Sequence, residues 1–410
     1  MLYDRFEQKL IEVTERKGLR LALFSASTMT ILGAILVAPA LPAITKAFSG
    51  TPHIEILSGL MLTIPALFVM IFSPIAGFLM DKHTKLRFLY PAMIVWVISG
   101  MSGALCENIY TLIATRCVLG IAAAFVSVGV NTLLGDYYSL GVGRRERALS
   151  MQGFVMSVGG AILTMLSGYL TNYAWQYAFL VYGSGIIVIF LCVMFLFEPR
   201  TKKTKESTAK DSMKNNVKES YKILFPVYFI GFFIMVAYYL AGIEFPHYIE
   251  DVLGLEPKYI GLAMALPTLS FGIFAFFYKD IAKFLSIKRV YIVALCIESV
   301  AFLLVFLVQN FAITAFSLFC FGVAGGLIVT NNSNYLFKLS DATNRAKLYA
   351  ILASCSFFGQ FITPLIATPI SLYIGLQNSC LLWAVAIFIV ALGFCVLRFE
   401  ELKTTSLDKH

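Results

Sequence analysis

The sequence predicts an all-α polytopic membrane protein with twelve transmembrane helices in two six-helix pseudo-repeats, and three observations carry that reading. The composition is 59% hydrophobic and 13% charged, with a mean hydropathy of +0.82, which excludes a soluble globule. Apolar runs of about 20 residues, the length that crosses a hydrocarbon core, recur along the whole chain. The connections between them alternate in charge, and all but three of the 32 Lys and Arg residues (Lys46, Arg116 and Lys258) fall in one set of loops and tails. The positive-inside rule places that set in the cytoplasm together with both termini, which fits an even number of spans. The net charge of +9 is therefore a matter of topology, not of nucleic-acid binding, and the lipid bilayer is the surrounding medium.

In chain order, residues 1–20 form a charged cytoplasmic segment, either an amphipathic helix on the membrane surface or a solvated tail. The apolar run beginning at Leu21 is too long for a cleaved signal peptide, so it is the first span. Spans are predicted at 21–48, 56–80, 86–106, 109–138, 147–173, 176–198, 222–248, 258–278, 289–308, 311–338, 347–374 and 377–398. Residues 199–221 are polar and Lys-rich and read as a flexible cytoplasmic linker between an N-terminal bundle (21–198) and a C-terminal bundle (222–398), with 399–410 a cytoplasmic tail. Eight cysteines lie scattered in apolar runs without zinc spacing, so they read as small hydrophobes, and neither a metal nor a cofactor is expected.

The two halves repeat each other at one offset. Gly59-Leu60, Pro65 and Leu67 recur as Gly261-Leu262, Pro267 and Leu269; Asn108 recurs as Asn310 and Gly120 as Gly322, each pair 202 residues apart. A common offset in separate segments is the mark of a duplicated six-helix unit.

Between spans two and three lies Gly77-Phe78-Leu79-Met80-Asp81-Lys82-His83-Thr84-Lys85-Leu86-Arg87, a tight turn in which one carboxylate sits beside three cations. This pattern resembles the signature loop between helices two and three of the major facilitator superfamily, with Thr84 in place of the second glycine and Arg87 one position late. Arg116-x-x-x-Gly120 resembles that family's membrane-embedded arginine motif, and Asp136 with Arg144-Arg145-Glu146-Arg147-Ala148 falls at its helix-four-to-five turn. Trp175-Gln176-Tyr177-Ala178-Phe179 is similar to the start of its helix six, and Phe245-Pro246-His247-Tyr248 with Val252-Leu253-Gly254-Leu255 to the end of its helix seven. Over 21–398 the chain resembles that superfamily, and within it the drug:proton antiporter branch. The resemblance implies a gate made of Gly77, Asp81, Lys85, Arg87 and Asp136. In it Asp81 meets the positive end of helix eleven in one state and Lys85 or Arg87 pairs with Asp136. The helix-five antiporter motif survives only as glycines (Gly153, Gly159, Gly160 and Gly168), with Leu163-Thr164 where the family has Gly-Pro. That leaves the direction of transport open.

Polar groups in the spans are the candidates for substrate binding or coupling, because a charge at the bilayer centre costs about 2.5–3.5 kcal/mol on insertion scales. Arg116 lies about 10 Å below Ile109. It is expected either to face the central cavity and pair with a carboxylate or an anionic substrate, or to make a structural interhelical hydrogen bond. Glu244, near the outer end of span seven, and Glu298, near the middle of span nine, are acids in apolar surroundings. Groups that alternate between neutral and charged there carry protons. Tyr238, Tyr239, Asn131, Asn331 and Gln360, with Gln152 and Asn334, are further candidates for a mixed aromatic and polar site. No catalytic residue is expected, because the chain contains no metal-binding His-Glu-x-x-His, phosphate loop or nucleophile elbow.

These features point to a monomeric, inner-membrane secondary transporter that exports a small amphipathic organic compound by alternating access in exchange for protons. A proton-coupled importer of an anionic metabolite, with Arg116 as its ligand, is the alternative; a polytopic membrane enzyme or a sensor is a distant one. The topology predicts that single cysteines replacing Ser49 and Gln309, in a cysteine-free background, react with impermeant maleimide from outside intact cells, whereas one replacing Thr208 does not. Labelling at Thr208 inverts the orientation.

Overall fold

The computed structural model describes residues 12, 14–139, 144–199, 217–340 and 345–396. Most of the linker, the C-terminal tail, the Thr208 probe position and all of 1–11 lie outside the described residues. The spans are α1 (Lys17–Ile35), α2 (Ile54–Lys82), α3 (Lys85–Met101), α4 (Ile109–Tyr137), α5 (Arg144–Thr171) and α6 (Ser184–Phe195) in the first half. The second half has α7 (Val217–His247), α8 (Pro257–Phe276), α9 (Ile287–Leu307), α10 (Phe311–Leu339), α11 (Arg345–Ile374) and α12 (Leu376–Val396). Among the described residues, eleven helical segments are long and apolar enough to cross a membrane. The twelfth span is the first, and it is interrupted.

The interruption follows from two prolines. Pro39 has no N–H for the carbonyl of Ile35, and Pro42 has none for that of Ala38. The chain therefore leaves α1, passes through a 3₁₀ turn at Ala38–Ala40 and resumes as a short helix, Leu41–Ala47. The sixth span likewise opens with a 3₁₀ stretch, Trp175–Gly183, before α6. Asn108 and Asn310, partners in the repeat, occupy the same place in each half. Their side chains accept the backbone N–H of Thr111 and Ala312 and so cap α4 and α10.

Helix packing repeats with a shift of six. In the first half α2 packs on α4, α1 on α5 and α4, and α3 on α4. In the second half α8 packs on α10, α7 on α11 and α10, and α9 on α10. The halves meet through α2 against α11 and α5 against α8, the two pairings that exchange under the same shift.

The repeated residues make the repeated contacts. A Cβ on Gly120 would lie 2.7 Å from the carbonyl oxygen of Pro65, and a Cβ on Gly322 would collide with the carbonyl of Pro267. The α2–α4 and α8–α10 crossings are therefore built from the same two residue types at the same offset. Gly59 sits where a Cβ would lie 2.7 Å from Pro364 Cβ of α11, and Gly261 and Gly168 cross backbone to backbone between α8 and α5. Small residues let helices approach closely in lipid, where packing rather than hydrophobic exclusion drives association.

Beneath the first half, the backbone carbonyl of Thr14 accepts from Tyr138 Oη at 3.3 Å, and its hydroxyl and the carboxylate of Glu15 accept from Arg144 at 3.0 and 2.8 Å. Arg144, with Arg20, holds the Glu15 carboxyl below the usual carboxylate range. The described part of the N-terminal segment thus lies against the ends of α4 and α5.

The crossings predict that Gly120→Ala and Gly322→Ala each lower the melting temperature of the purified protein by several degrees, since overpacking a rigid contact costs about 1–3 kcal/mol. Gly153→Ala, where a Cβ meets nothing within 4 Å, leaves it unchanged. Equal stability of all three variants removes the crossings as a constraint.

Candidate functional site

A cavity of about 260 Å³ lies between the halves. The first half supplies Thr30 and Gly33 of α1, Pro65, Ala66 and Val69 of α2, Ala123 and Ser127 of α4 and Ser157 of α5. The second half supplies Met235, Tyr238 and Tyr239 of α7, Thr268 and Phe271 of α8, and Phe357 and Gln360 of α11. The rings of Tyr238 and Tyr239 meet edge to face at 5.8 Å, and Tyr238 meets Phe271 in the same way at 5.9 Å. The Gln360 amide and the Tyr239 hydroxyl make no hydrogen bond to another described residue. Among the described residues that line the cavity none is charged. Of the residues picked from sequence, Tyr238, Tyr239 and Gln360 line it.

Asn131 lies one turn from Ser127, and its Oδ1 accepts from Gln152 Nε2 at 2.9 Å, while the same Nε2 donates to Ser27 Oγ at 3.0 Å. This network ties α4 and α5 to α1 beside the cavity. Asn331 turns away from it. Its amide donates to the Ile287 carbonyl at 3.1 Å and accepts from the Tyr278 hydroxyl at 2.6 Å, so it fastens α10 to the start of α9.

Arg116 does not face the cavity. Its Nη2 donates to the carbonyls of Ser99 and Gly100 in α3, each at 2.9 Å, and the guanidinium carbon sits 5.0 Å and 5.2 Å from the ring centroids of Phe179 and Tyr182. The cation is held by the last turn of α3, whose carbonyls have no helical N–H to serve, and by two π faces. This corrects the expectation of a cavity-facing arginine and leaves the structural interhelical bond.

The two acids also lie away from the cavity. Both carboxylate oxygens of Glu244 stand within hydrogen-bond distance of Ser379 Oγ of α12, at 3.0 and 3.1 Å. Glu298 is fully buried and neither oxygen has a partner among the described residues. On α7, Glu244 follows Tyr239 by five residues, which turns it by about 140°; the tyrosine looks into the cavity and the acid looks into the second half. Glu244 therefore does not line the cavity.

The turn between α2 and α3 is organised by the motif's Lys85 together with Asp136 and Glu198 from outside it. Lys85 pairs with Asp136 of α4. The carboxylate of Glu198, after α6, accepts the first N–H groups of α3, from Lys85 at 3.0 Å and Leu86 at 3.1 Å, and caps that helix as an anion should. Asp81 is exposed and has no hydrogen bond or ion pair among the described residues, and a Cβ on Gly77 would meet nothing within 4 Å. In this conformation Gly77 mediates no close approach.

At the opposite end the halves are latched. Lys46, after the broken first span, reaches Glu250 at 2.6 Å and Asp251 at 3.3 Å in the π-helical turn Tyr248–Val252 that follows α7. His247 Nδ1 lies 3.5 Å from Asp251, and Asn172 accepts the Lys258 backbone N–H at 3.0 Å between the ends of α5 and α8. Lys46 departs from the charge pattern of the loops, and that departure was the signal by which the sequence marked it.

The sequence profile described as Major Facilitator Superfamily matches residues 23–256 and 227–409. The chain belongs to the major facilitator superfamily. It is accordingly a multi-pass membrane transporter and not an enzyme. The superfamily relatives include "Tetracycline resistance protein, class H" of Pasteurella multocida, 24% identical over 393 residues that cover 92% of this chain and 96% of the relative. They also include "Protein TsgA homolog" of Buchnera aphidicola subsp. Acyrthosiphon pisum (strain 5A), 21% identical over 320 residues that cover 76% and 79%. Among solved structures, a bacterial homolog of the human lysosomal transporter Spinster, inward-facing and unoccupied, superimposes with a TM-score of 0.73 at 15% identity, covering 95% of this chain and 96% of that one. A D-xylose-proton symporter does so with a TM-score of 0.73 at 13% identity, covering 92% and 96%. At these identities the structural likeness is one of fold.

An exposed ion pair is worth about 0.2–1 kcal/mol. Lys46→Ala is therefore expected to speed labelling of a cysteine placed at Thr268, by impermeant maleimide applied from the latched side, by up to about fivefold. An unchanged rate means the pair does not hold the halves together.

Proposed function

We propose that this transporter exports a small amphipathic organic compound by alternating access and exchanges it for protons across the inner membrane. The observation that carries the reading is one shared cavity, lined from both halves, in a molecule whose ion pairs between the halves, among the described residues, join Lys46 to Glu250 and Asp251 at one end. With the basic loops in the cytoplasm, the latched end faces outward, and the structure is the state closed to the outside. The resemblance to the drug:proton antiporter branch and the relatives named for drug resistance support export.

Coupling rests on α7. Along one helix it carries Tyr238 and Tyr239 in the cavity and Glu244 against α12, and it leads directly into Glu250 and Asp251 in the latch. Pro246, two residues after Glu244, cannot bond the carbonyl of Gly242, so the helix is weakest between the acid and the latch. Gaining or losing a proton at Glu244 changes its bond to Ser379, and α7 passes that change to both other sites. Glu298, buried without a donor, is the second candidate carrier. Asp81 is left to meet the start of α11 when the molecule opens outward, and the Lys85–Asp136 pair steadies the turn that presents it.

An anion importer that uses Arg116 as its ligand gains nothing from this geometry, since the guanidinium lies against α3 and two rings and away from the cavity.

In everted vesicles of known orientation, Glu244→Gln is expected to reduce pH-gradient-driven accumulation at least tenfold while leaving downhill exchange within about twofold, because the amide is fixed in the neutral form. Glu298→Gln and the double variant complete the test. Gradient-driven transport that survives in the double variant removes both acids as carriers.

A further inference from the structure

We infer that the species held in the cavity is uncharged, a flat two- or three-ring aromatic compound with one amide-like polar edge, so that substrate and proton never share a binding group. The inference rests on the transport reading above and adds the chemistry of the cargo.

The charge, the lining and the volume of the cavity lead to it. No described residue lining the cavity bears a charge, and both embedded acids and the embedded arginine point elsewhere in the bundle. An ion moved into such a space without a counter-charge loses more than a hundredfold in binding. The π faces of Tyr238 and Phe271 recover only about two- to thirtyfold of that for a cation, and nothing there serves an anion. A neutral ligand avoids the loss altogether.

The shape of the lining then narrows the class. Tyr238, Tyr239, Phe271 and Phe357 offer ring faces and edges, and Met235 adds a soft, adaptable side chain. Against them stand two groups with unused hydrogen-bonding capacity, the Gln360 amide and the Tyr239 hydroxyl. Gln360 is 6% exposed, so its donor and its acceptor are best served by a ligand that presents the complementary pair, as a carboxamide does. At about 260 Å³, the cavity lies just under the usual span of drug-sized sites, which favours two or three fused rings over a larger scaffold.

The separation has an electrical consequence. If a neutral cargo leaves as one proton enters, each cycle moves net charge across the membrane, and the membrane potential drives export alongside the pH gradient.

Three compounds of one skeleton test the inference: 2-naphthamide, 2-naphthoate and trimethyl(2-naphthyl)ammonium. Binding of radiolabelled 2-naphthamide to the purified full chain in nanodiscs is expected to saturate, and the two ions are expected to displace it at least tenfold less well. Tyr239→Phe and Gln360→Leu, each monodisperse on gel filtration, are expected to weaken it about three- to tenfold. The displacement series on the unaltered protein stands without them if either fails to fold. Displacement by either ion within tenfold of 2-naphthamide itself overturns the inference. So does the absence of saturable 2-naphthamide binding, or full binding in both folded variants. Flux of 2-naphthamide into everted vesicles under a pH gradient alone, a potential alone, or neither tests the antiport reading separately. Selective binding without gradient-driven flux removes proton exchange and leaves the cavity assignment in place.

Discussion

The close crossing of helix backbones at glycine is the constraint on which the architecture depends. Lipid tails are as apolar as leucine, so helices in a bilayer gain little by hiding apolar surface from their surroundings and must gain by contact. Gly120 on Pro65 and Gly322 on Pro267 bring α4 to α2 and α10 to α8, and each six-helix half is built around that contact. Gly59 against Pro364 and Gly168 against Gly261 then bring the halves together. Every one of these glycines except Gly168 belongs to a pair repeated at the common offset. The weak internal similarity of the chain is therefore a record of where backbones touch. On the lipid-facing surface the demand is for an apolar side chain, and many sequences meet it.

The same reasoning explains the three basic residues outside the basic loops. A cation in the membrane, or at the end away from the basic loops, runs against the charge pattern unless something specific holds it. Lys46 has Glu250 and Asp251, Arg116 has two carbonyls and two rings, and Lys258 pairs with Glu256 at 2.5 Å. Two of these partnerships lie at the end where the halves are joined. The departures from a topological rule thus marked ion pairs and hydrogen bonds, one of them joining the two halves.

The fold was legible because it is written in long-range statistics: apolar runs, loop charge and a repeat. The predicted spans agree with the helices to within a few residues at most boundaries. The chief differences, the broken first span and the 3₁₀ opening of the sixth, arise where a proline or a local turn overrides a run that hydropathy alone reads as continuous. The site was legible only in part. Tyr238, Tyr239 and Gln360 line the cavity, but Arg116, Glu244 and Asn331 do not. The reason is angular. A helix places residues 100° apart, and in spans that are apolar on every side nothing in the sequence says which face looks at lipid, at a neighbour or at the cavity. Glu198 was missed for a related reason: it looks like any charged residue at a helix end until the fold brings it under the N-terminus of α3.

That angular arrangement bears on coupling. When a transporter holds substrate and proton at one carboxylate, exclusion is local, and the two cannot bind together because they compete for the same atoms. Under the proposed proton exchange, with the cavity and Glu244 on opposite faces of α7, competition would travel through the helix itself. A neutral acid and a charged one differ in how strongly they hold Ser379, and a buried charge without enough donors is costly. The ionised state therefore favours whichever orientation of α7 supplies more donors or water. Rotating the helix to supply them moves Tyr239 in the cavity by the same angle, because both are fixed to one rod, and carries the turn that bears Glu250 along with it. Between the acid and the latch, Pro246 allows the outer turn to lag behind, so the latch can release after the tyrosines have moved. In the proposed exchange, a helix with a polar task on two faces and a latch at its end links the proton to a neutral molecule that the acid never touches.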